Sequence, residues 1–122
     1  MRPNGQTLYE WLYSITGAAF ENRAYIEYRA ENGLPDEFLV YYLVSDGNSR
    51  YFSNSAWRRE MRISFCIMTR HKANLETKSG ELERIAQANG LLFMKTMPDT
   101  YFEATGHWSR TIDFRYYEEV RK

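Results

Sequence analysis

A chain of 122 residues suits one domain, spanning 1–122, around one core. Lysine plus arginine equals aspartate plus glutamate at 16 each, so no net field draws the molecule toward phosphate and a general nucleic-acid binder is disfavoured. Hydrophobic and charged contents of 43% and 26% are ordinary for a folded domain and argue against disorder. The unusual feature is aromatic content, 16% with ten tyrosines. Tyrosine joins apolar area to a polar tip, which suits half-buried sheets and wet interfaces.

Gln6 to Thr16 places Leu8, Trp11, Leu12 and Ile15 at helical spacing, with Asn4 or Thr7 as cap and Gly17 as stop. "AYIEYRA" (24–30) alternates as a half-exposed strand. "ENGLPDE" then breaks the chain, because Asn32-Gly33 favours positive backbone angles and Pro35 holds Leu34 extended. "EFLVYYLVSD" (37–46) is apolar on both faces and reads as a central strand, ended by the turn signal Asp46-Gly47-Asn48.

"EMRISFCIMTR" (60–70) is a further strand, with Met61, Ile63, Phe65 and Ile67 on one face and Arg62, Ser64, Cys66 and Met68 on the other. Asn74 to Asn89 reads as a second helix through Leu75, Leu82, Ile85 and Ala86. Gly80 weakens it by about 1 kcal/mol relative to alanine, which leaves two alternatives to a firm start at Asn74: fraying of the first turns, or a later start with Thr77 or Ser79 as the cap. "LLFMKTM" (91–97) is a strand ended by Pro98-Asp99, "DTYFEATGHW" a loop, and 107–120 the last strand, with Arg110 at the rim of its apolar face. Strands grouped around helices, without regular βα alternation, predict an α+β fold: a mostly antiparallel sheet of four or five strands with two helices on one face.

Chemistry is hard to find. Cys66 is the only cysteine, so no internal disulfide forms and nothing implies an oxidising compartment; within an apolar strand it reads as a small buried hydrophobe. His71 and His107 lie on different elements, and no metal-ligand spacing, phosphate loop or nucleophile elbow occurs. The expectation is no enzyme, no cofactor and no metal. No apolar run reaches membrane-spanning length and "MRPNGQTLYEW" lacks a signal-peptide core, so synthesis in the cytoplasm without membrane association is expected.

The segment Ser45 to Trp57 keeps Tyr51, Phe52 and Trp57 where a tight turn would suffice. Aromatics of this kind are enriched at the centres of protein interfaces. Trp57, beside a strand, suits packing on the chain's own core. Tyr51 and Phe52, with Arg50 and Arg58, are the candidates for contact with another chain.

Taken together, "GLPDEFLVYYLVSD", "RYFSN", "REMRISFCIMTR", the helix "LETKSGELERIAQANG", "LLFMKTM", "DTYFEATGHW" and "SRTIDFRYYEEV" resemble, in order and texture over nearly the whole chain, the tail terminator and tail completion (head–tail joining) proteins of long-tailed bacteriophages. The resemblance implies a structural α+β subunit without catalytic residues. Such subunits assemble into a ring, usually a hexamer, which caps the tail tube, ends its polymerisation and meets the head connector. It implies a place in the virion tail or neck after synthesis in the bacterial host, with itself, the tail-tube protein and the connector as partners, and no sequence-specific nucleic acid. "AYIEYRAENG" departs from the pattern as a longer first strand. The rival readings are a protein-binding adaptor of phage origin that forms no ring, a small ligand-binding domain with a pocket lined by Tyr28, Tyr41 and Cys66, and a nucleic-acid module using Arg58, Arg59 and Arg62.

Overall fold

Thr7 opens the first helix, α1 (Leu8–Thr16): its hydroxyl accepts from the Glu10 N–H, and the Glu10 carboxylate accepts from the Thr7 N–H. This reciprocal cap satisfies two donors that the helix leaves unpaired. Trp11, Leu12 and Thr16 turn inward. Gly17 does not end the coiling as expected; it is right-handed helical, and a 3-10 turn, Gly17–Phe20, follows. That tighter turn carries Phe20 into the core. The structure, a computed structural model, describes residues 2–3, 5–20, 24–25, 35–48 and 56–121, with backbone only at 24–25, 45–48, 56–58 and 119–121.

The strands are β1 (Ala24–Tyr25), β2 (Glu37–Asn48), β3 (Ala56–Thr69), β4 (Leu92–Thr96), β5 (Thr100–Phe102) and β6 (His107–Arg121). They form one sheet in the order β1-β2-β3-β6-β4, with β5 also paired to β6. β1 and β2 run parallel and every other pair is antiparallel. The second helix, α2 (Asn74–Ala88), crosses from β3 to β4. The fold is α+β, as the sequence predicts.

Alternation along the strands sorts the side chains. Leu39 and Tyr41 of β2, Met61, Ile63, Phe65 and Ile67 of β3, and Ile112, Phe114 and Tyr116 of β6 share one buried cluster with Trp11, Leu12, Phe20, Leu75, Leu82 and Ala86. Both helices therefore cover the same face. The opposite face divides along its length. Phe38, Val40 and Met68 are buried at one end, with half-buried Cys66 beside them. Tyr42 and Val44, further along β2, are exposed at 43% and 51%.

Two local expectations change, and two others hold as far as the described residues reach. The turn signal Asp46-Gly47-Asn48 lies inside β2, where these residues pair with Met61, Glu60 and Arg59. A register shift between Leu43 and Ser45 absorbs the irregularity, and β6 backs β3 through the same stretch, so the ladder overrides local turn propensity. Residues 45–48 and 56–57 of the expected insert are therefore strand, and 49–55 lie outside the described residues. α2 starts at Asn74, where the sequence places it, despite Gly80 and without a side-chain cap. Its first turns are tied down instead: Leu75 is fully buried, Asn74 Nδ2 donates to Glu37 at 3.0 Å, and Lys78 reaches Glu37 at 3.5 Å. Ser79 is buried rather than capping. Part of the expected "DTYFEATGHW" loop is strand β5. Of the strand expected at 24–30, Ala24–Tyr25 is strand, and 26–30 lie outside the described residues.

Candidate assembly surface

The residues that carry chemistry are kept apart. His107 is fully buried; its Nε2 lies 2.8 Å from the Pro35 carbonyl and its ring packs edge-on against Phe38. Asp36, nearby in sequence, is paired with Arg70 at 2.6 Å, and that hydrogen bond holds its carboxyl below the usual range. Burial pushes the Cys66 thiol up, away from the thiolate that nucleophilic chemistry needs. Tyr41 and Cys66 lie on opposite faces of the sheet, so the pocket drawn from Tyr28, Tyr41 and Cys66 does not assemble from those two; Tyr28 is outside the described residues. The expected basic cluster is split as well. Alternation puts Arg59 and Arg62 on opposite faces, and the backbones of Arg58 and Arg59 sit opposite those of Glu119 and Glu118 in the β6 register. Among the described residues no group of three or more His, Cys, Asp or Glu side chains is placed to hold a metal.

Arg50, Tyr51 and Phe52, the interface candidates from the sequence, lie outside the described residues. Arg58 is in β3, described by its backbone alone.

What the structure does present is an apolar sheet edge. β4 and β5 follow one another along the outer side of β6, and among the described residues no strand pairs with them from beyond. Leu92, Phe93, Met97, Tyr101 and Phe102 are exposed there at 54%, 47%, 41%, 46% and 37%. The edge sits on firm ground. Phe93 packs edge-on against buried Phe114 at 6.2 Å, and Tyr101 lies 4.7 Å from the Trp108 ring, which also carries the Lys72 ammonium at 4.6 Å.

Arg110 staples the edge to α2. Its guanidinium donates two bonds to Asp99, at 2.8 and 3.0 Å, and one to Glu76 in the first turn of α2, at 2.9 Å. The Asp99 carboxyl is held below the usual range chiefly by this hydrogen bonding, and Arg110 is held still more firmly protonated. The rim position expected for Arg110 is what the structure shows: opposite Ile67, with its side chain 16% exposed.

The backbone of this edge is blunted while its side chains are not. β4 and β5 are five and three residues long, their pairing shifts register between Phe93 and Lys95, and Pro98 separates them. Short, broken edges with proline resist open-ended strand addition. Sequence reading placed Leu92 and Phe93 in a strand but gave them no role, and left Tyr101 and Phe102 in a loop. The signal was present: Thr100, Tyr101 and Phe102 are all strand formers, bounded by Pro98-Asp99 and Gly106. Gly106 at φ +75° makes the turn into β6.

No protein-family model matches this chain, and no curated protein matches it.

Proposed function

We propose that this protein is a structural subunit that works by adhesion: a phage or prophage virion protein that assembles as a ring, most simply a hexamer, on the end of the tail tube, stops its growth and joins it to the head connector. One observation carries the reading: five large apolar side chains stand exposed along a single sheet edge, over a well-packed core. Clustered apolar exposure of this kind marks interaction surfaces in folded proteins. A short edge broken by Pro98 suits a closed, finite assembly better than a fibre. The likeness in segment order to tail terminator and head–tail joining proteins supplies the virion setting. In that setting Arg50, Tyr51, Phe52 and Arg58 meet a neighbouring subunit or the tail tube. Among the described residues no helix is long and apolar enough to cross a membrane.

Electron microscopy of tails assembled without this protein tests the reading. Tails of irregular, overlong length are expected. Tails of normal length joined normally to heads would overturn it, and an adaptor that binds a single protein partner without forming a ring would take its place.

A further inference from the structure

The sulfur atoms of this chain sit in unequal surroundings. Met61 and Met68 are 1% exposed, inside the packed sheet. Cys66, the only cysteine, is half-buried; burial pushes its thiol up, so little of the thiolate that reacts with oxidants is present. Met94 is half-buried within β4. Met97 stands apart, 41% exposed. Among the described sulfurs it is the one most open to a dissolved oxidant.

Met97 also occupies the middle of the apolar edge. Its backbone N–H donates to the Thr111 carbonyl at 2.8 Å, which holds the joint between β4 and β5 against the outer side of β6. Leu92 and Phe93 are exposed before it in the chain, Tyr101 and Phe102 after it. The bond to Thr111 is made by the backbone, so chemistry on the thioether leaves it in place. The side chain belongs to neither buried cluster. A change of polarity at this sulfur therefore alters the edge without opening the core.

We infer that Met97 is a redox-sensitive modification site that controls association at the β4–β5 edge. The oxidant is hydrogen peroxide. The thioether sulfur gives an electron pair to one peroxide oxygen, so that an S–O bond forms and the O–O bond breaks. The proton of the transferred oxygen passes to the departing hydroxide, which leaves as water. The sulfur is thereby oxidised to the sulfoxide as the peroxide is reduced. A sulfoxide is polar, and covering the edge strips it of its water. Association of the modified chain should be about tenfold weaker, since burying a methionine side chain contributes an effect of at least that size. The inference rests on the assembly reading above and adds its regulation. It acts on the free subunit: a neighbour seated on the edge shields the sulfur, so oxidation blocks assembly more than it undoes it.

The test treats dilute protein with hydrogen peroxide and maps the added oxygen by peptide mass spectrometry. Sedimentation of treated and untreated chains is then compared over a concentration series, with Met97→Leu carried alongside. The Met97 peptide should take up oxygen ahead of those holding Met61, Met68, Met94 and Cys66. The treated parent should melt cooperatively yet associate about tenfold more weakly, while treated and untreated Met97→Leu sediment alike. Methionine sulfoxide reductases with a dithiol should restore the parent, the oxygen leaving as water and the dithiol becoming a disulfide. Oxygen arriving first at Met94 or Cys66 would overturn the inference. So would equal weakening of Met97→Leu by peroxide, or loss of cooperative melting on modification of Met97. If the untreated parent associates and its Met97 sulfoxide associates equally well, this regulation falls and the assembly reading stands. If the untreated parent is monomeric at every concentration, the assembly reading falls and takes the inference with it.

Discussion

Similar residues meet two fates on this sheet. On the face under α1 and α2, Ile63, Phe65, Ile67, Ile112 and Phe114 are wholly out of water. At the β4–β5 edge, Leu92, Phe93 and Tyr101 remain 54%, 47% and 46% exposed. Composition cannot account for this, since both regions are aromatic and aliphatic. Coverage does: the helices roof one region, and among the described residues nothing pairs with the other from outside. The lesson is that apolar patterning identifies surface that needs covering, and only the tertiary arrangement shows what is left uncovered. The covered face should govern folding and the edge association.

The comparison breaks most readily at its centre. Phe65 packs against a tilted Tyr41 ring and edge-on against Phe114 beneath the helices, so Phe65→Ala should lower stability by about 3–5 kcal/mol in chemical denaturation. A small loss would mean the covered face is not the core. Arg110→Met comes next, with an expected loss of about 1–2 kcal/mol, because two carboxylates lose their shared partner.

The same variant sharpens the pH dependence. Asp99 is held below its unfolded value, near 3.9, so its stabilisation is present above about pH 4 and lost as pH falls through the folded value. Parent and Arg110→Met should therefore converge in stability in acid. A gap that persists well below that range would place the role of Arg110 elsewhere. Thr7→Ala removes a capping box and should cost about 1 kcal/mol by thermal melting, without touching association. Leu92→Ser with Tyr101→Ser should cost about 1 kcal/mol, mostly through the lost Tyr101–Trp108 ring contact, yet have the largest effect on assembly.

How much of this was legible follows from the range of the interactions involved. The helical stripe Leu8–Ile15, the strand alternation of 60–70 and the rim position of Arg110 are local patterns, and each appears where the sequence puts it. Asp46-Gly47-Asn48 departs from its turn signal because pairing with β3 outweighs local preference, while Gly80 leaves the helix start at Asn74 because Leu75 and Glu37 anchor the first turns. The edge was invisible for a different reason. That β4 and β5 lie side by side on β6, and that Arg62 faces Arg115, follow from sheet order and register, which link residues roughly 50 apart in the chain or nearer only through the β6 ladder. No single-segment pattern encodes them.

Sedimentation velocity of the parent chain against the Leu92→Ser, Tyr101→Ser variant, over a concentration series, tests the central claim most directly. The parent should associate into a species several times the 14.6 kDa chain mass, and the variant should remain a folded monomer that still unfolds cooperatively. Superimposable sedimentation of the two proteins at every concentration would contradict the account.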